Sequence, residues 1–196
     1  MAAALGSIAS LSLDGGCHAW ACDDCLVFVG AHCGRLAGIE LRSCAGIGAR
    51  GIEALAAGCA AKSLVSLGMH SCGDIGSGAC LSGLTRLSSL RLSWATQVTS
   101  AGLAPLAPCL RVLQLHGCEA IDDGICTRLQ QVEELSLAYT AVKDAGLALL
   151  ASRSLRLRAL TLACQQYNNF SCAWTTDAGE AAFCAARPDV ALARVT

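Results

Sequence analysis

Aromatic residues are scarce in this 196-residue chain: three Trp, two Tyr and three Phe, 4% in all. A close-packed interior must then be filled by Leu, Ala, Cys and Ile, and apolar residues do make up 54% of the sequence. Long hydrophobic runs are missing too. No window approaches about eighteen uninterrupted apolar residues, so an ordinary membrane-spanning helix is not expected. Neither sign of charge is in excess: 14 Lys and Arg stand against 15 Asp and Glu, a net charge of −1, with the signs interspersed. That balance argues against nucleic acid or an anionic membrane as a partner. The opening MAAALGSIASLSLDGG has no basic n-region and no convincing cleavage site, so it does not read as a secretion signal.

Catalytic signatures are also lacking. The chain contains no G-x-x-x-x-G-K-[ST], no G-x-S-x-G, no H-E-x-x-H and no dinucleotide glycine fingerprint after a strand. The 20 glycines mark turns rather than a phosphate cradle. No enzyme activity and no cofactor are expected.

Cysteine is what the chain has in plenty, 14 residues. Disulfide scaffolds are typically short secreted chains with little other core, whereas here the apolar content suffices without bridges. Free thiols in a reducing compartment, cytoplasmic or nuclear, are the expectation. The stretch GCHAWACDDCLVFVGAHCG, Gly16 to Gly34, poses the sharper question, because Cys22 and Cys25 make a C-x2-C knuckle with Cys17, His18, His32 and Cys33 around it. A zinc knuckle would need Cys22 and Cys25 to converge at a tight turn.

Internal repetition supplies another reading. LRVLQLHGC, from Leu110 to Cys118, is apolar at positions 1, 4 and 6 with Cys at position 9. The frame recurs as LAGIELRSC from Leu36, LVSLGMHSC from Leu64, LSSLRLSWA from Leu87, VEELSLAYT from Val132 and LRALTLACQ from Leu157. With IASLSLDGGC from Ile8, the copies are spaced 28, 28, 23, 23, 22 and 25 residues apart. Each is followed by a turn and a short apolar-periodic run, as in AVKDAGLALLA, where Asp144 is a candidate N-cap and Leu147 and Leu150 a candidate buried face. The expected architecture is α/β: a solenoid of about seven strand–turn–helix units, with a parallel sheet on the concave side and helices on the convex side.

This pattern resembles the cysteine-containing leucine-rich repeats of F-box substrate receptors and of proteins like the yeast antagonist of mitotic exit. The hallmark L-x-x-L-x-L-x-x-C-x-x-I-T-D-x-G-L is matched best by LAGIELRSCAGIGARGI and LSSLRLSWATQVTSAGL. The chain departs from it where Ala95, Thr140 and Gln165 replace the cysteine, and in the shortened turn GCEAIDDGIC. The frame gives the Gly16–Gly34 cysteines a structural explanation. Cys17 falls at the repeat position of Cys44, Cys72 and Cys118, Cys25 at a buried helix position, and Cys33 at a helix end like Cys59. A metal is not expected, although Cys22, His18 and His32 have no such explanation.

Function in a solenoid lies in its surface residues. Alternation along each strand sends positions 5 and 7 to the concave face. Column 5 reads Ser12, Glu40, Gly68, Arg91, Gln114, Ser136 and Thr161; column 7 reads Asp14, Arg42, His70, Ser93, His116, Ala138 and Ala163. Position 8, at the rim, adds Trp94 and Tyr139. The candidate protein-binding strip is therefore Glu40, Arg42, His70, Arg91, Trp94, Gln114, His116 and Tyr139, with Arg and Trp as anchors. No nucleophile or orienting carboxylate can be paired with the histidines from the sequence. The insertion QQYNNFSCAW, 165–174, is a candidate contact loop.

The whole chain, 1–196, reads as one repeat domain without an F-box, since only seven residues precede Ile8. Its first repeat is expected to lack a cap, whether through truncation, a missing partner domain or coverage by another subunit. The resemblance implies a non-enzymatic interaction module, with substrate recognition for a cullin-type ubiquitin ligase as its setting and a Skp-like adaptor or a substrate protein as partner. A structural scaffold subunit of a cytoskeletal or ciliary assembly is the alternative. GTPase activation is a third reading, resting only on the two 28-residue intervals.

Overall fold

The computed structural model describes residues 7–15, 21–163 and 175–195. Among the described residues eight strands form one sheet: β1 (Ser10–Asp14), β2 (Gly38–Arg42), β3 (Ser66–His70), β4 (Ser89–Ser93), β5 (Val112–His116), β6 (Glu134–Ser136), β7 (Ala159–Ala163) and β8 (Ala191–Val195). Every neighbouring pair is parallel and the spatial order is the chain order. The register follows the repeat frame: Leu11, Ile39, Leu67, Leu90, Leu113, Leu135 and Leu160 are cross-strand partners in one row. The run from Val190 to Leu192 leads into β8, whose Leu192 extends that row. Leu41, Leu90 and Leu113 are fully buried, as the inward positions of the frame require. Each such side chain contributes about 1.5–3 kcal/mol.

Repeat length decides what forms on the convex side. The two 28-residue units hold α1 (Asp23–His32) and α2 (Ala49–Ala57), and the 25-residue unit holds α4 (Asp144–Arg153). α5 (Asp177–Ala186) follows β7. Units of 22 or 23 residues lack the chain for a full helix. They carry the 3-10 turns Ala79–Gly83 and Asp123–Thr127 and the single-turn α3 (Ser100–Leu103). The expectation of a returning helix in every unit is corrected accordingly.

Within the helices, the residue four after each cap position is the inward one: Leu26, Ile52, Leu103 and Leu147 are all essentially buried. That position in α1 belongs to Leu26, not Cys25, which is only half-buried. Asp144 likewise proves to be the first helical residue of α4, with Lys143 at the cap.

The Asp144 carboxylate is spent elsewhere. Its oxygens accept from the backbone N–H of Thr176 at 2.8 Å and from the Thr176 hydroxyl at 2.7 Å, so it caps the next repeat. Asp123 does the same for Lys143 N–H at 2.7 Å, and Asp23 for Gly48 N–H at 2.8 Å. Orphan amides at one helix start are thus satisfied by the repeat before it. The close approach explains the glycine that follows. A Cβ at Gly146 or Gly179 would run into the carboxylate of Asp123 or Asp144.

The position-9 cysteines stitch the same neighbours at the strand ends. Cys44 Sγ donates to Arg42 O at 3.2 Å and to Leu13 O, one strand back, at 3.6 Å. Cys72 repeats this toward His70 and Leu41, and Cys118 toward His116 and Leu92. Burial pushes the Cys118 thiol up to about 11, so it stays protonated as a donor. Thr140 substitutes a hydroxyl, donating to Leu137 O at 2.9 Å.

The two ends of the solenoid differ. At the first strand Ile8, Leu11 and Leu13 are only partly buried. At the other end Arg187 is buried and donates to Ser154 O and Leu157 O, both at 2.9 Å, while bridging to Asp189. Glu180 occupies the inward position that Ile52 and Leu147 hold in their own helices, and it is 2% exposed. Its carboxylate accepts from Thr175 at 3.0 Å and from Arg194 Nε at 2.9 Å. A polar plug therefore closes the apolar stack.

Candidate functional site

The parallel register lines up the two outward columns. Ser12, Glu40, Gly68, Arg91, Gln114, Ser136 and Thr161 are successive cross-strand partners. So are Asp14, Arg42, His70, Ser93 and His116. Column 7 ends there as a polar row, because Ala138 and Ala163 are buried. The expected strip is brought together as two clusters, with Arg91 and Gln114 between them.

The first cluster centres on His70. Its Nε2 lies 2.7 Å from Glu40 Oε1 and its Nδ1 2.9 Å from Ser93 Oγ. Glu40 reaches the ring by lying across Gly68, where a Cβ would strike its carboxylate. Arg42 approaches the same Glu40 oxygen at 3.8 Å. In the tautomer with Nε2–H, that nitrogen donates to Glu40 and Nδ1 accepts from the Ser93 hydroxyl. The sequence pattern did not show this hydroxyl–imidazole–carboxylate relay, and the expectation that His70 lacks such partners is corrected. The signal was present, since Ser93 holds column 7 one repeat after His70. The backbone around the Ser93 hydroxyl is already paired. Ser93 sits within a paired strand, its own carbonyl accepting from Ser71 N–H at 3.1 Å, and the following amide, Trp94 N–H, is bonded to His116 O at 2.7 Å. The Trp94 amide is therefore not free to face a developing oxyanion.

The second cluster is aromatic. Trp94, from the turn after β4, and Tyr139, from the turn after β6, stack at 6.4 Å between ring centroids with planes 20° apart. His116 fits edge-on to both, at 5.5 Å from Trp94 and 4.9 Å from Tyr139. Burial lowers the His116 pKa below its ordinary value, so the ring is neutral at neutral pH. Position 8 takes a left-handed backbone in each of these repeats: Ser43 (φ 52°), Ser71 (50°), Trp94 (63°), Gly117 (67°) and Tyr139 (58°). For Trp and Tyr that conformation costs about 1–2 kcal/mol each. Gly117 makes the stack possible, because a Cβ there would stand 2.5 Å from Trp94 Cε3. Trp94 is nevertheless 56% exposed. Beside it a cleft of about 280 Å³ opens between the turns Cys72–Gly76 and Trp94–Val98.

Arg91 is half-buried and touches Ser66 Oγ at 3.5 Å; Gln114, also half-buried, pairs with it across the sheet. Cys22 caps α1 and Cys25 lies in its first turn, with Cys25 N–H donating to Cys22 O at 3.0 Å. Among the described residues no three His, Cys, Asp or Glu side chains are grouped as a metal site. Cys17, His18 and the insertion 165–174 lie outside the described residues. No helix among the described residues is long and apolar enough to cross a membrane.

Neither protein-family models nor the curated proteins give a match to the sequence. Solved structures do. A chain in the crystal structure of the yeast Rad7 and Elc1 complex superposes with a TM-score of 0.59 at 18% identity, over 93% of this chain and 55% of that one. An internalin from Listeria monocytogenes, InlF, superposes with a TM-score of 0.55 at 15% identity, over 100% of this chain and 58% of the other. The fold is a leucine-rich-repeat solenoid. The solenoid spans little more than half the length of either of these structures. In it, the two clusters run across β2 to β5 of the concave surface and onto the rim turns after β4 and β6.

Proposed function

We propose that this leucine-rich-repeat solenoid is a non-enzymatic protein-recognition module whose contact surface is the concave strip from Glu40 to His116 with the Trp94–Tyr139 rim. The observation that supports it best is the exposed Trp94. A bulky aromatic is held in a strained backbone conformation and fixed by two further rings from separate repeats, as binding anchors are. The polar cluster beside it is tied by its own hydrogen bonds, so its orientation is set before any partner arrives. The finer reading is substrate recognition for a cullin-type ubiquitin ligase, with a Skp-like adaptor engaged through another segment or another chain. It rests on the sequence resemblance and on the likeness to a chain crystallised within a complex.

The test is affinity capture of the tagged chain from its native lysate, with Arg42→Ala, Arg91→Ala and Trp94→Ala combined in a second sample. Adaptor and cullin should be recovered in both samples, and a substrate protein only with the unaltered strip. Stable structural subunits retained by the triple variant would refute the assignment of this face and favour a scaffold.

A further inference from the structure

A net charge of −1 conceals a segregation. Because all strands are parallel, every helix-to-strand connection lies on one edge of the solenoid. Each of the first five carries one basic residue: Arg35, Lys62, Arg86, Arg111 and Arg128. The sixth, from the end of α4 to β7, carries Arg153, Arg156 and Arg158. All of them are exposed, and among the described residues only Arg111 is ion-paired, to Glu133 at 3.0 Å. The opposite edge, where helices begin, carries Asp74, Glu119, Asp122, Asp123, Asp144 and Asp177 against Arg50 and Lys143, while Glu133 and Glu134 are the acidic residues at the basic edge up to the sixth connection.

Helix dipoles do not account for the basic row. Their influence fades within the last turn, and the 3-10 turns are too short to have one of consequence. Arg35, Arg156 and Arg158 all lie three or more residues beyond the helix before them. The row also has an apolar component. Leu155, 75% exposed, is set among the three arginines of the sixth connection, and Val65, 40% exposed, follows Lys62. These connections contain no Trp, Tyr or Phe on which a base could stack.

We propose that this edge docks an acidic peptide segment of a partner protein, with an apolar side chain of that segment seated on Leu155. From β2 to β7 the row crosses five strand steps, about 24 Å, which an extended segment of about seven residues spans. The surface is separate from the concave strip, so its test does not depend on that assignment.

The experiment is fluorescence anisotropy with a labelled Glu-rich octapeptide containing one central Leu, using the full chain. Binding should weaken at least tenfold between about 50 and about 300 mM salt. Arg153→Glu, Arg156→Glu and Arg158→Glu together should abolish it, with the circular dichroism spectrum unchanged because all three are exposed. Leu155→Ala should weaken it severalfold without altering the salt dependence, and Arg50→Glu, near the opposite edge, should leave it intact. Four results would overturn the proposal: no binding, equal binding by the triple variant, tighter binding of a single-stranded RNA of equal charge that ignores Leu155, or salt-sensitive self-association that the peptide does not compete. The third would assign the edge to nucleic acid and the last to the acidic edge of a second copy.

Discussion

Gly117→Ala tests the physical basis of the aromatic rim. The new Cβ meets two separate penalties. One is the left-handed backbone at φ 67°, worth about 1–2 kcal/mol for a non-glycine residue. The other is contact with the Trp94 ring, whose Cε3 lies 2.5 Å from the Cβ position, an overpacking worth about 1–3 kcal/mol. The wild-type background should lose about 2–5 kcal/mol, lowering Tm by roughly 4–20 °C for a chain of this size. In a Trp94→Ala background the second penalty has no partner and only the backbone cost remains. Urea melts of the four proteins in this double-mutant cycle give the coupling directly. Coupling of about 1–3 kcal/mol is expected. If the two backgrounds lose the same amount to within about 0.5 kcal/mol, the Trp94 ring does not lie over Gly117 and the stacked cluster is wrong.

At the C-terminal end, Arg194→Ala should cost about 2–4 kcal/mol in chemical denaturation, because it strands the buried Glu180 carboxylate, whereas Glu180→Leu should cost less, restoring the apolar residue other repeats place there. Two groups set a pH dependence. The Asp144 carboxyl is held below its ordinary value by the Thr176 hydroxyl and amide, so its contribution is present above the unfolded pKa of about 3.9 and is lost as pH falls through the folded value; Asp144→Asn should flatten that part of the melting profile. Burial lowers His116, so protonation favours the unfolded chain as pH falls below about 6.5, and His116→Gln should remove that loss of Tm between neutral and mildly acid pH. Iodoacetamide should label exposed Cys59, Cys109 and Cys184 in the native protein. Cys118 and Cys126, buried and pushed up to about 11 and about 12, should label only after unfolding, as mass spectrometry of the digested protein would show.

Much of the fold is visible in a frame of nine residues, because each strand's inward leucines have a fixed period and each repeat stacks on its neighbour. The outward columns follow from the same period, so Glu40, Arg42, His70 and His116 fall in the rows the spacing assigns. The frame is silent on contacts that depend on side-chain reach. Glu40 bonds to His70 only because Gly68 leaves the space between them, and Ser93 joins from the next strand. Asp144 has the residue type and place of a cap, yet the nearest unsatisfied amide belongs to the following repeat. The basic edge escapes a balance taken over the whole chain, since segregation by edge appears only once the strands are known to be parallel.

Each of Cys44, Cys72 and Cys118 bonds a carbonyl one strand back, and Asp23, Asp123 and Asp144 each bond an amide one repeat on, in the same frame. A whole unit is consequently an exchangeable part. Excising the 23 residues from Leu87 to Cys109 would present Cys118 with the carbonyl of Met69 in place of that of Leu92, the same position one strand earlier. Such a shortened chain would still close its turns while bringing His116 alongside His70. The concave surface of such a solenoid can thus change by gaining or losing whole turns, because each turn offers its neighbours the same frame.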